Sequence, residues 1–174
     1  GNFLPSLFQK YNKHEVYLDV IDVNKESLKT LKSLLRKIKI PNNFKINFIN
    51  EDFVLFKSKK IYDLVIGNPP FENLRREQID VYRYEKPFIN SYAKNIYSFF
   101  LTKALLIGKN ISFISPKALL ESKTFLEDRE KLRNKKIFKI TDYGEFGFKG
   151  VKVETISLHV RNKNFQFVEI ESYP

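Results

Sequence analysis

Four consecutive residues, Asn68, Pro69, Pro70 and Phe71, follow the apolar run "YDLVIG" and combine groups that could do chemistry together. Proline lacks a backbone N–H, fixes its own φ, and drives the residue before it out of helical geometry. The pair therefore predicts a rigid turn that leaves the carbonyls of Asn68 and Pro69 outside any helix or sheet. A side-chain amide oxygen and a nearby carbonyl can together accept two N–H bonds. That suits a planar exocyclic amine, whose lone pair is normally drawn into its ring. Two acceptors favour a more tetrahedral nitrogen and free the lone pair for attack, and Phe71 supplies a flat stacking face. A plain Pro-Pro strand terminator accounts for the prolines but not for the amide before them or the ring after.

Two acids stand at comparable strand ends. Asp22 closes "EVYLDVID" and precedes a helical pattern, so its carboxylate can accept both hydroxyls of a ribose or cap the helix. Asp52, in "NEDF", can accept a hydrogen bond from an adenine amino group with Phe53 packed nearby, or can serve as a turn aspartate. His14 and His159 lack any partner pattern for a metal or a catalytic base and receive no role, and no metal is expected.

The elements that must carry these residues alternate. "EVYLDVID" reads as a strand, and the segment after it as an amphipathic helix with Leu28, Leu31, Leu34, Leu35 and Ile38 at helical spacing. Pro41 ends that helix, "FKINFINEDF" reads as a strand with an acidic turn, and "IYDLVIG" as a strand apolar on both faces. Residues 72–94 are polar, rich in Tyr and Arg and weakly periodic, which predicts a long functional loop. Next come a helix over "NIYSFFLTKALLIGKN" with Phe99, Phe100, Ala104 and Leu105 inward, the strand "ISFISP", and a charged helix over about residues 117–134. "KKIFKITDYG" and "VETISLHVRN" read as late, antiparallel neighbours. Strand–helix alternation predicts one compact α/β domain with a doubly wound sheet and ligands at the carboxyl ends of its strands.

With 31 Lys and Arg against 20 Asp and Glu, the 174-residue chain carries a formal charge of +11. Such a surplus fits a polyanionic partner, nucleic acid ahead of anionic lipid. A genome rich in A and T, which favours Lys, Ile, Asn and Phe, is the alternative source of part of it. The absence of cysteine excludes disulfides and thiolate metal sites. With no signal-like N-terminus and no long uncharged apolar run, the expectation is a soluble, cytoplasmic protein with no membrane partner.

"NPPF" after "YDLVIG" resembles the (Asp/Asn/Ser)-Pro-Pro-(Tyr/Phe/Trp) motif of S-adenosylmethionine-dependent amino-group methyltransferases. "VIDVN" looks like that group's ribose-binding strand end, "EDF" like its adenine-binding turn, and "FGFKGVKVETISL" like the late aromatic segment that stacks on a flipped base. Their order matches the gamma group of DNA adenine-N6 methyltransferases of restriction-modification systems. The resemblance implies a Rossmann-like sheet, mostly parallel with an antiparallel late strand, and S-adenosylmethionine as cofactor. It further implies that Asp22 holds the ribose, Asp52 and Phe53 the adenine, Asn68 and Pro69 the target amine, and that Phe71 and Phe148 flank the base. Double-stranded DNA is the implied partner, with a flipped adenine as target, together with a cognate restriction endonuclease or a fused nuclease domain. Arg75, Arg76, Arg83 and Lys86 would contact DNA, or belong to a solvated loop.

The resemblance starts late. The family's first strand and most of its glycine-rich loop have no counterpart, and only Gly1 to Phe3 could be the tail of that loop, with Gly1 and Phe3 beside the cofactor. The expectation is a catalytic domain over residues 1–174 without a target-recognition domain. The same tetrad also serves enzymes that methylate protein glutamine or RNA guanine. A non-catalytic DNA-binding fragment is the reading from a different class.

Overall fold

The computed structural model describes residues 2–85, 88, 91–133, 135–144 and 153–161, and the backbone of 169–172. The chain divides into two compact units, Gly1–Phe56 and Lys57–Pro174.

In the first unit, α1 (Leu4–Lys10) precedes β1 (Val16–Ile21), α2 (Lys25–Leu35) and β2 (Phe44–Ile49). The two strands pair in parallel, from Val16 opposite Phe44 to Ile21 opposite Ile49. Parallel neighbours need a crossover, and α2 supplies it. Asn24 starts α2 by accepting from the N–H groups of Glu26 (2.9 Å) and Ser27 (3.0 Å). The apolar stripe of α2 is narrower than its leucine spacing predicts. Leu28 and Leu35 are buried and Leu31 is half-buried, whereas Leu34 and Ile38 stay more than half exposed, and Ile38 lies past the end of the helix. Helix α1 was not foreseen; Pro5 sits in its first turn, and the ring of Phe8 meets Phe44 edge-on at 4.8 Å.

The second unit holds β3 (Val65–Gly67), α3 (Arg76–Arg83), α4 (Ile96–Ile107), β4 (Asn110–Pro116), α5 (Leu126–Arg133), β5 (Lys136–Asp142), β6 (Thr155–Arg161) and β7 (Glu169–Ser172). Its sheet has the order β3-β4-β6-β5-β7. β6 runs antiparallel to β4 and β5, and the other pairings are parallel. The expected α/β sheet with an antiparallel late strand is thus present. This topology gathers the carboxyl ends of β3, β4 and β5 and the start of β6 at one edge.

The core of this unit lies under α4. Ile111 and Phe113 of β4, Ile156, Leu158 and Val160 of β6, and Tyr97, Phe99, Leu101 and Ala104 of α4 are all buried. Phe100 and Leu105, expected to face inward, are only half-buried, because Tyr97, Leu101 and Ile107 take the inner positions. Two further expectations change. The polar stretch 72–94 is not a plain loop: it contains α3, whose Ile79 and Tyr82 are buried, and Tyr82 and Phe88 bring their rings 5.0 and 5.4 Å from that of Phe99. The charged helix expected from Lys117 opens as two 3-10 turns, Lys117–Leu120 and Lys123–Phe125, before α5 begins. Ser122 divides them, its hydroxyl accepting from the N–H of Thr124 at 3.2 Å.

Gly108, after α4, is a point of close approach. A Cβ there would lie 2.8 Å from Val65 Cγ2 and 3.0 Å from the Ala104 carbonyl oxygen. Gly108→Ala is expected to destabilise the protein by about 1–3 kcal/mol through overpacking, read as a lower urea midpoint. An unchanged midpoint would mean that β3 and the end of α4 separate at no cost. Among the described residues, no helix is long and apolar enough to cross a membrane.

Candidate functional site

Gly67 ends β3 without a side chain, and a Cβ there would come within 3.3 Å of the Phe113 ring. Beyond it Asn68 is exposed, Pro69 is buried, Pro70 is exposed and Phe71 is half-buried. The buried proline anchors the turn while the amide stays accessible. The Phe71 ring lies edge-on to Tyr97, with centroids 6.0 Å apart. Tyr97 is itself fully buried, and its hydroxyl shares a 2.7 Å hydrogen bond with Ser115 Oγ. Burial holds this phenol well above its ordinary pKa, so it is a neutral hydrogen-bonding group and not a base.

The turn is tied to the start of α4. Asn95 Nδ2 donates to the Phe71 carbonyl at 2.7 Å and to Asn73 Oδ1 at 3.3 Å, while Asn95 Oδ1 accepts from the N–H of Tyr97 at 3.0 Å and caps the helix. Backbone bonds flank this contact, from Leu74 N to the Lys94 carbonyl (2.8 Å) and from Ile96 N to the Glu72 carbonyl (3.0 Å).

On the same edge of the sheet, Lys117 follows β4 and lies 3.0 Å from Asp142 Oδ2 and 3.4 Å from Glu154 Oε1. Its backbone N–H donates to the Glu154 carbonyl at 2.9 Å. The Asp142 contact is the main cause that raises the Lys117 pKa. Asp142 is lowered first by the N–H of Gly144, which donates to Oδ1 at 2.9 Å, and then by Lys117. Gly144 makes that bond from a φ of 56°, which glycine adopts without penalty.

In the first unit, Asp22 directly follows β1 and is half-buried. Its Oδ1 accepts from the N–H of Asn24 at 2.8 Å, and its Oδ2 has no partner among the described residues. The cap of α2 belongs to Asn24 and not to Asp22. Asp52 is half-buried past β2; its Oδ1 accepts from the N–H of Val54 (2.8 Å) and its carbonyl from the N–H of Phe56 (2.9 Å). Phe53, beside it, is half-buried. Asn50 joins the two strand ends, donating through Nδ2 to the carbonyls of Asp22 (2.9 Å) and Val23 (2.8 Å). Parallel pairing in register therefore brings Asp22 and Asp52 to the same end of this strand pair.

Phe3 is half-buried at the start of α1. Arg75 and Arg76 are exposed at the start of α3, whereas Arg83 is half-buried and its Nε donates to the Ser91 carbonyl at 3.0 Å. Gly1, Lys86 and Phe148 lie outside the described residues. Asn50, Asn95 and Tyr97 were not singled out from the sequence, although an Asn immediately before a helical run is a readable cap signal. No group of three or more potential metal-ligating side chains occurs among the described residues.

Solved structures share this fold. A class I S-adenosylmethionine-dependent methyltransferase from Listeria monocytogenes superposes with a TM-score of 0.72 at 17% identity, over 97% of this chain and 53% of that one. The type IIG restriction endonuclease BpuSI gives 0.67 at 18% identity, over 88% of this chain and 20% of its own. The type I restriction-modification methyltransferase subunit from Streptococcus thermophilus gives 0.63 at 13% identity, over 93% and 43%. The chain thus spans about half or less of each of these proteins. No curated protein sequence matches it significantly. The family model described as Eco57I restriction-modification methylase matches residues 6–148, from α1 through the turn at Asn68 and beyond β5. The chain belongs to the Eco57I restriction-modification methylase family.

Proposed function

We propose that this chain is the catalytic part of a restriction-modification enzyme that methylates the N6 amine of a flipped adenine in double-stranded DNA, with S-adenosylmethionine as donor. The observation that carries the reading is the turn after β3, where an accessible Asn68 stands on a buried Pro69 and next to the half-buried ring of Phe71. The residues at the ends of β1 and β2 fit the donor: Asp22 keeps Oδ2 without a partner among the described residues, as a carboxylate that accepts ribose hydroxyls would. Asp52 would accept from the adenine amine of the donor, with Phe53 against its ring. When bound, the donor supplies a methyl on a sulfonium, a carbon already activated toward a nitrogen lone pair and released as its C–S bond breaks.

The chain's own residues then hold the acceptor. Asn68 Oδ1 and the Pro69 carbonyl accept the two N–H bonds of the target amine and keep its lone pair out of the ring. Phe71 stacks on the base, and base–aromatic stacking of about 1–3 kcal/mol offsets part of the flipping cost. Alignment does most of the remaining work. Once the N–C bond has formed, the extra proton on nitrogen passes to water. Arg75 and Arg76 are available to phosphate oxygens, whereas the Nε of Arg83 already serves the Ser91 carbonyl. A restriction nuclease, fused or separate, is the expected partner.

The test incubates the full-length protein with S-adenosylmethionine labelled on its methyl group and unmethylated DNA, then hydrolyses the DNA to nucleosides. Label in N6-methyladenine is the expected result. Label entering RNA or protein instead would keep the amine chemistry and remove DNA as substrate, and no label with no cofactor binding would favour a non-catalytic DNA-binding role.

A further inference from the structure

We infer that Asn95 is a positioning residue for methyl transfer, setting where Phe71 and the acceptor turn stand relative to the sheet. The inference rests on the proposed function for the identity of the reaction, but its structural part stands on contacts alone. Turns built on two prolines are stiff internally, yet a stiff turn still has to be aimed. The covalent path from β3 fixes one end, at Gly67. At the other end, the carbonyl of Phe71 itself is taken by a side chain reaching back from 24 residues later: Asn95 Nδ2, at 2.7 Å, which also donates to Asn73 Oδ1 at 3.3 Å.

The same planar amide uses its oxygen to cap α4 through Tyr97 N at 3.0 Å. Donor and acceptor sit on one sp² group, so the turn and the helix end are oriented together. Tyr97, two residues further along, meets Phe71 edge to face and is locked from behind by Ser115. Asn95 is only 6% exposed, so water cannot replace its bond to the Phe71 carbonyl. The paired bonds Leu74 N to Lys94 O and Ile96 N to Glu72 O close a short antiparallel contact around it, consistent with a fastening and not a chance approach.

A cap and a positioning bond can be separated because they use different atoms. Serine caps a helix as well as asparagine does, but it is too short to reach the Phe71 carbonyl. Asn95→Ser therefore keeps the cap and removes the tie, whereas Asn95→Ala removes both. Two measurements are made on the full-length wild type and both variants. The first is kcat and KM for transfer of tritiated methyl from S-adenosylmethionine to unmethylated bacteriophage lambda DNA. The second is hydrogen exchange of peptides covering residues 68–74, with β4 peptides as the internal reference.

Asn95→Ser is expected to lower kcat by about 10²-fold, the scale of an ångström-level misplacement, with KM for the cofactor and the melting temperature close to wild type. Exchange at 68–74 should rise by about tenfold or more while β4 stays protected. Asn95→Ala should add a loss of melting temperature from the missing cap. Wild-type kcat in Asn95→Ser would overturn the inference, as would a parallel fall of kcat, cofactor binding and melting temperature. If the wild-type protein transfers no label, the reading of the reaction falls and exchange alone decides: raised exchange at 68–74 upholds the fastening, and unchanged exchange overturns it.

Discussion

Asn68→Ala in the full-length protein is expected to lower methyl transfer by about 10²–10³-fold, the usual consequence of deleting one preorganised polar group aimed at a reacting centre, while DNA affinity is kept. Asn68 is exposed and Pro69 beneath it is buried, so the substitution opens no gap in the core and leaves the turn standing. Under the proposed function, what it removes is one of the two acceptors of the target amine. On that reading the Pro69 carbonyl alone would not draw the nitrogen toward tetrahedral geometry. The substitution would likewise leave the DNA contacts of other residues in place, which separates the chemical step from binding. Filter binding and single-turnover methylation on the same DNA check this. Equal losses in both would show that Asn68 serves docking, and wild-type turnover would remove it from the chemistry.

The second large effect concerns stability. Asp128, on α5, is 1% exposed; its Oδ2 accepts from the Ser98 hydroxyl, and its Oδ1 has no partner among the described residues. Burial pushes its carboxyl up to about 6, against the opposing pull of Ser98 and Lys131. The folded protein therefore holds this proton more tightly than the unfolded chain does. The stabilisation is fully present below the ordinary carboxyl pKa of about 4 and is lost as pH rises through about 6. Asp128→Asn keeps an acceptor for Ser98 and cannot ionise. At pH 8 it should be more stable than wild type by about 2–3 kcal/mol, from roughly two pKa units at 1.36 kcal/mol each. That corresponds to about 5–10 °C in Tm for a chain of this size. At pH 4 the two proteins should melt together. A gap of the same size at both pH values, or a less stable variant at pH 8, would sink the account.

How far the sequence could be read depended on the range of the interaction involved. β1, β2, β4, β5 and β6 are runs of β-branched and aromatic residues, and local pattern was enough to find them. The turn at Asn68 was legible for the same reason, since two prolines act on their immediate neighbours. Helix α3 was missed because only Ile79 and Tyr82 turn inward over eight residues, too little periodicity to stand out among charged neighbours. The helix expected from Lys117 was drawn too long because Leu119, Leu120, Phe125 and Leu126 continue an apolar rhythm through the break at Ser122. Asn95 fastens Phe71 across 24 residues, and Lys117 meets Asp142 and Glu154 across longer spans still. No one-dimensional pattern reports such pairs, so the sequence offers candidate groups but not the side chains that fasten them.

The ion pairs of Lys117 carry a consequence for how this protein can diverge. The chain leaves the sheet after Asp142 and re-enters it at Thr155, and Lys117 bridges Asp142 and Glu154 at the neck of that excursion. Closing a flexible loop costs only about 0.6 kcal/mol more for each doubling of its length. With the neck closed by charges that belong to the sheet's own edge, the end of β5 and the start of β6 are held in place independently of the chain that joins them. Relatives of this protein can therefore differ in the length of chain between these two strands while the ends of β5 and β6 keep their register.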